Sequence, residues 1–199
     1  MQFVLATKNK NKLKEMQRIL EPLGASVISE SDLEYPLPEV EEDADTFEGN
    51  ALKKARSAMQ ATKTAAIADD SGLCVDYLGG APGIYSARYA GEEHDSNKNN
   101  EKLLNQLKNV PKEKRTAHFV CAIAVVFPNG EYFTVRGTCN GYIADKKQGV
   151  NGFGYDPLFI SEKGCFGLLS DKEKDSISHR GNALRQLKEK LKNICEEMK

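Results

Sequence analysis

From Ala117 to Phe127 the chain is mostly apolar and β-favouring. Pro128, Asn129 and Gly130 supply turn chemistry, and Glu131 to Gly137 return. No other feature constrains the fold as tightly: two extended segments joined by a tight turn read as a β-hairpin. This hairpin is scaffold, and His118 at its start is read as structural, as a lone histidine in a strand usually is. Around it the pattern alternates. Phe3 to Ala6 is a short apolar run ending at Thr7, and Leu13, Met16, Ile19 and Leu20 recur at helical spacing, so strand, loop and helix follow one another. That helix should stop near Pro22 and Gly24, with Val27 and Ile28 opening the next strand. Ser31 to Asp45 reads as a surface loop. Thr46 then begins a helix with Phe47, Ala51, Leu52, Ala55 and Ala58 on its apolar face and Asn50, Lys53, Lys54 and Arg56 on its polar side. A further helix is expected over Glu101 to Leu107. A last one carries Leu184, Leu187, Leu191, Ile194 and Met198 as a core stripe or a dimer surface.

At 199 residues there is room for one well-buried core or two closely joined lobes, and we expect a single domain over 1–199. The 28 basic and 29 acidic side chains nearly cancel, which argues against a nucleic-acid surface built on net positive charge. No apolar run approaches the roughly 20 residues that span a bilayer, and the charge at the N-terminus follows the apolar residues instead of preceding them. The expectation is a cytoplasmic protein with no membrane partner. Five cysteines, widely spaced and without a Cys-x-x-Cys pair, read as reduced packing residues.

Chemistry concentrates in a few places. The run Ala65 to Ala68 meets two adjacent carboxylates, Asp69 and Asp70, then Ser71 and Gly72, which reads as a buried strand delivering acids to a turn. Successive strand residues face opposite ways, so only one aspartate can face a given cleft while the other supports it. A second turn follows at Gly79 to Gly83. The segment Thr7, Lys8, Asn9, Lys10, Asn11 and Lys12 feeds a helix start, where outward N–H groups and lysines suit phosphate, although it lacks the spacing of a Walker loop. Phe153, Gly154, Tyr155 and Asp156 set aromatics among glycines, a flat face for a base or an ordinary turn with core aromatics. Ser178 can cap the last helix, leaving His179 and Arg180 at its positive end, which suits an anion.

Five blocks taken together resemble the inosine triphosphate pyrophosphatase family: LATKNKNKLKE from Leu5, TFEGNALKKA from Thr46, ADDSGLCVDYLGGAPGIYSARYAG from Ala68, GFGYDP from Gly152 and ISHRGNAL from Ile177. The resemblance implies an α/β fold, a long twisted mixed sheet flanked by helices in two lobes with a nucleotide cleft between them, a homodimer and a magnesium ion. It also implies hydrolysis of dITP, ITP and XTP to the monophosphate and pyrophosphate. Thr7 to Lys12 resembles the triphosphate loop, with Lys8 and Asn11 where glycine is common. By the same resemblance Glu41 or Glu42 is an acidic magnesium ligand, Lys54 a phosphate contact, Asp70 the general base, and Asp70 with Asp69 beside it the metal-linked carboxylates. Ser71 touches substrate. Phe153 to Asp156 resembles the base pocket, and Lys174, His179 and Arg180 its base- and phosphate-binding partners. Gly49, Leu168 and Asp175 stand where Glu, Glu and Asn are usual. Two other readings use the same parts: a pyrophosphatase for modified pyrimidine nucleotides, and a nucleotide-binding regulator without catalysis.

Overall fold

The computed structural model describes residues 2–20, 26–91 and 95–197. The expected helix stop at Pro22 and Gly24, the side chains of Ile19, Leu20 and Cys195, and Met198 lie outside the described residues. Strands β1 (Gln2–Leu5), β2 (Ser26–Ser29), β3 (Ala66–Val75), β4 (Thr116–Val126), β5 (Tyr132–Ile143), β6 (Phe159–Ser161) and β7 (Gly164–Cys165) form one open sheet in the order β2-β1-β3-β4-β5-β6-β7. It is mixed. β1 runs parallel to β2 and to β3, with Val4 beside Ala66 and Leu5 beside Ile67, whereas β5, β6 and β7 are antiparallel. The helices are α1 (Lys10–Leu20), α2 (Phe47–Thr62), α3 (Ser96–Gln106), α4 (Asp171–Ile177) and α5 (His179–Glu197). Among the described residues no helix is long and apolar enough to cross a membrane.

The chain divides into two compact units. One comprises Met1–Asp70, Cys121–Gly137 and Arg180–Lys199, the other Ser71–Val120 and Thr138–His179. In the first, strand alternation sorts the core by face. Phe3, Leu5, Ile67, Cys121, Ile123 and Val125 pack with Met16 of α1 and with Leu184, Leu187 and Leu191 of α5. Their even-numbered neighbours turn the other way: Ala68, Ala124 and Val126 pack with Ala51 and Ala55 of α2, and Val4 and Ala66 with Ala58. The leucine stripe of the last helix is therefore core. The second unit has its own core, in which Leu73, Leu103, Leu107, Phe119, Ile143, Leu158, Phe159 and Phe166 are buried together. Phe119 lies 4.6 Å from Phe159, ring centroid to centroid.

Three expectations need correction. β3 does not end in a turn at Asp69 and Asp70 but runs on to Val75, because the two carboxylates and the backbone just beyond them find partners outside the strand. The backbone N–H of Leu73 donates to Ser86 Oγ at 2.8 Å, that of Val75 to the Ala81 carbonyl, and both carboxylates are held by side chains. The third helix starts at Ser96, five positions before the expected Glu101, because Asp95 caps it by accepting from the N–H groups of Asn97 and Lys98. Asn50 is not on a solvated side of α2: it is fully buried. The hairpin of β4 and β5 is as expected, closed by Phe127 N–H to the Glu131 carbonyl. The described side chains of Cys74, Cys121, Cys139 and Cys165 are reduced.

Candidate active site

In the first unit β3 presents its two aspartates to two different sets of partners. Asp69 has the odd-numbered orientation that faces α1 and α5. Lys12 of α1 meets its Oδ2 at 2.9 Å, and Nη2 of Arg180, in the first turn of α5, lies 3.4 Å from the same oxygen. Nη1 of Arg180 pairs with Glu15, one helical turn beyond Lys12 on α1. All four groups are half-buried or buried, and two cations balance two anions. Burial alone would hold the Asp69 carboxyl protonated, but Lys12 and Arg180 outweigh it and keep its pKa well below the usual carboxylate range. The Arg180 guanidinium pays for desolvation too, yet Asp69 and Glu15 push its pKa up.

Asp70 faces α2. Asn50 Nδ2 donates to its Oδ2 at 3.1 Å, and the Lys54 ammonium lies 4.0 Å from Oδ1. That ammonium sits closer to Glu42, at 2.8 Å. Burial therefore raises the Asp70 pKa; Lys54 and Lys12 oppose the shift and Glu42 adds to it. Lys54 is raised in turn, since Asp70, Asp69 and Glu42 together overcome its burial. Two carboxylates and one lysine leave this group one negative charge in excess. The adjacent aspartates thus differ in kind: one is a neutralised structural anion, the other a carboxylate with elevated proton affinity.

The helix α1 begins behind an Asn9 cap. Asn9 Oδ1 accepts from the N–H groups of Asn11, at 3.0 Å, and Lys12, at 3.2 Å, and Thr7 Oγ1 accepts from Asn9 N–H. Two of the amides expected to point at phosphate are consequently occupied, and positive charge at this helix start comes from Lys8, Lys10 and Lys12, with no acid in the first turn. Lys8 makes an exposed pair with Glu39. Glu41 is exposed and Glu42 half-buried. Among the described residues no group of three or more His, Cys, Asp or Glu is placed to hold a metal.

In the second unit the loop from Gly152 to Asp156 is built on one buried carboxylate. Asp156 Oδ2 accepts from Phe153 N–H and from the Lys174 ammonium, both at 2.7 Å. That ammonium also stands 4.7 Å above the Phe153 ring. Gly152 has φ +73°, and a Cβ there would lie 2.1 Å from Asp156 Oδ2, so this position requires glycine. Tyr155 is not a free face: it is buried and its hydroxyl donates to the Ser86 carbonyl at 2.8 Å. The loop has the turn-with-core-aromatic character at Tyr155 and an accessible aromatic at Phe153. His179 is buried and stacks on Phe119, 4.6 Å between centroids and 13° from parallel. Ser178 precedes α5 in extended conformation, as a capping residue would. Ser71 is half-buried, the next β3 residue after Asp70.

Sequence reading brought Lys12, Asp69 and Arg180 to notice, and Lys54 with Asp70, but as separate motifs; the structure joins the first three in one network and the last two in another with Glu42. It did not give Glu15 or Asn50 their partners, and it missed Asn100, whose Nδ2 donates to the Gly154 carbonyl at 2.9 Å. Glu15 ends the first block that carries the resemblance and stands three residues after Lys12 on a predicted helix, which were its signals. Nothing local marked Asn100.

Residues 3–190 match the model of the Ham1 family. Over 197 residues the chain is 50% identical to the dITP/XTP pyrophosphatase of Desulforamulus reducens, which covers 98% of this chain and 97% of that one. The solved structure of the Staphylococcus aureus Ham1 protein matches with a TM-score of 0.85 at 43% identity, covering 97% of this chain and 99% of that one. A HAM1 protein from Coxiella burnetii gives a TM-score of 0.87 at 38% identity, with 97% and 99% covered.

Proposed function

Because the chain belongs to the Ham1 family, and its relatives include dITP/XTP pyrophosphatases similar over nearly the full length, we propose that it hydrolyses dITP, ITP and XTP to the nucleoside monophosphate and pyrophosphate. The observation that carries the reading is the asymmetry of the aspartate pair. Asp70 combines burial, elevated proton affinity and a fixed orientation, the properties of a general base. Asn50 holds its Oδ2, and the proton of the attacking water is taken at Oδ1. Attack falls on the α-phosphorus. Lys12, Lys54 and the lysines at the start of α1 bind the phosphates and neutralise charge on the departing pyrophosphate.

Magnesium fits the donor set. It binds through one or two carboxylates with substrate phosphates and retained waters, which does not call for a cage of three or more protein ligands. Glu42 and Asp70, with their excess negative charge, would hold it; when bound it supplies Lewis-acid polarisation of the phosphate oxygens. Asp69, already balanced by Lys12 and Arg180, serves as support for Asp70 and not as a ligand. Phe153 offers its ring to the base, and Lys174 and His179 supply donors for the 6-keto edge. Adenine would set a donor against those donors, a mismatch costing about 1 to 3 kcal/mol.

Pyrophosphate release is the direct test. Purified protein with magnesium should release pyrophosphate from dITP and XTP far faster than from dATP. Binding of dITP without any pyrophosphate would instead identify a regulator, and faster turnover of a modified pyrimidine triphosphate would reassign the substrate.

A further inference from the structure

Asn100 lies in the middle of α3 and is 2% exposed. Its Nδ2 donates to the Gly154 carbonyl at 2.9 Å, while its Oδ1 is buried with no hydrogen-bond partner among the described residues. A leucine would fill similar space without orphaning an oxygen, so the fold gains nothing from the amide except its donor. That donor fixes one peptide group only. Gly154 has φ +63° and stands between Phe153 and Tyr155 in the loop assigned above to the base. The flanking groups are held by other means: Phe153 N–H by Asp156, and the Tyr155 hydroxyl by Ser86. Ser86 Oγ in turn accepts from Leu73 N–H, so the loop is tied to β3 just past the catalytic carboxylate's strand position. Asn99, next to Asn100, secures the preceding segment by accepting from Ala90 N–H and donating to the Ala87 carbonyl.

We propose that Asn100 is a specificity-determining positioning residue: by holding the Gly154 carbonyl it sets the plane of the peptide joining Gly154 to Tyr155, and through it the course of the loop at Phe153, so that the aromatic face presents the purine's 6-keto edge to Lys174 and His179. The proposal rests on the assignment of Phe153 to Asp156 as the base-binding loop. Asn100 itself touches no substrate. Losing its donor leaves the phosphate residues of the other unit unaltered, so the effect falls on base recognition and not on the chemical step.

The test compares kcat/KM for dITP and dATP in the wild type, Asn100→Asp and Asn100→Ala, with thermal melting of each. Aspartate keeps the shape but sets a carboxylate oxygen against the Gly154 carbonyl; alanine only removes the donor. Both variants should lose about tenfold in kcat/KM for dITP, more for Asp than for Ala. The loss should lie in KM with kcat changed by less than about threefold, and dATP should be little affected, so that the preference narrows. A folded variant that keeps the wild-type preference, or loses both substrates equally, overturns the proposal. Should Asn100→Asp fail to melt cooperatively, Asn100→Ala decides by the same criterion. A wild type with no preference for dITP would instead sink the functional reading, before any variant is compared.

Discussion

Asp69 and Asp70 share a strand and a residue type, yet replacing each by asparagine should move stability in opposite directions. Asp69→Asn takes from Lys12 and Arg180 the buried carboxylate they share, leaving Glu15 paired with Arg180. Breaking such a network costs about 3 kcal/mol, or a fall in Tm of about 6 to 12 °C for a chain of this size. Asp70→Asn removes a carboxylate whose pKa is raised in the fold. A raised folded pKa means that the native state favours the proton, so the wild type loses stability as pH rises from the unfolded value of about 3.9 through the folded one. In magnesium-free buffer Asp70→Asn should therefore melt above the wild type at pH 7, and the difference should vanish well below pH about 3.9. Its kcat should fall by about 100-fold or more, because the amide accepts no proton. Melting curves at both pH values with parallel kinetics check all of this; a destabilised Asp70→Asn at pH 7 contradicts the environment described for that side chain. Arg180→Ala, by the same reasoning as Asp69→Asn, should lower Tm and depress turnover of dITP and dATP alike, since Glu15 and Asp69 hold its guanidinium.

At the level of elements, the loop from Gly152 to Asp156 separates two costs that glycine substitutions usually mix. Both Gly152 and Gly154 have positive φ, but only at Gly152 would a Cβ collide, with Asp156 Oδ2. Gly154→Ala should cost about 1 kcal/mol of backbone strain. Gly152→Ala should cost about 3 kcal/mol or more, because it also displaces the carboxylate that pairs with buried Lys174. Denaturant midpoints of the two variants test the difference, and equal losses would mean that Asp156 yields without disturbing the pair. The same loop shows what a sequence does and does not disclose. The hairpin, the helix opened by Thr46 and the leucine stripe of α5 were legible because their signals are periodic and local. The course of β3 was not, since turn chemistry at Asp69 to Gly72 is overridden by Lys12, Arg180, Asn50 and Ser86, each far away in the chain. The candidate site residues were legible mostly as blocks that resemble a family; that Asp69 meets Lys12 and Arg180 while Asp70 meets Asn50 and Lys54 needed the packing partners to be seen. Asn100 bonds a backbone carbonyl 54 positions away in the chain, and such a contact leaves no spacing to read.

For the whole molecule, the boundaries between the two compact units fall inside elements: β3, β4, β5 and α5 each begin in one unit and finish in the other. Neither unit can keep its strands if the other unfolds, so calorimetry should record a single cooperative transition, with calorimetric and van't Hoff enthalpies equal; two resolved transitions would show that the shared strands do not couple them. The alternation along β3 carries a consequence of another sort, for parity. Whether a residue on this strand meets α1 and α5 or meets α2 depends only on whether its position is odd or even, counted from the pairing of Leu5 with Ile67. One residue inserted between Ile67 and Asp69 would change no side chain, yet it would turn the first aspartate toward Lys54 and the second toward Arg180. Length changes in this protein have to be absorbed outside this strand. Within β3 the chain tolerates different letters more readily than a different count.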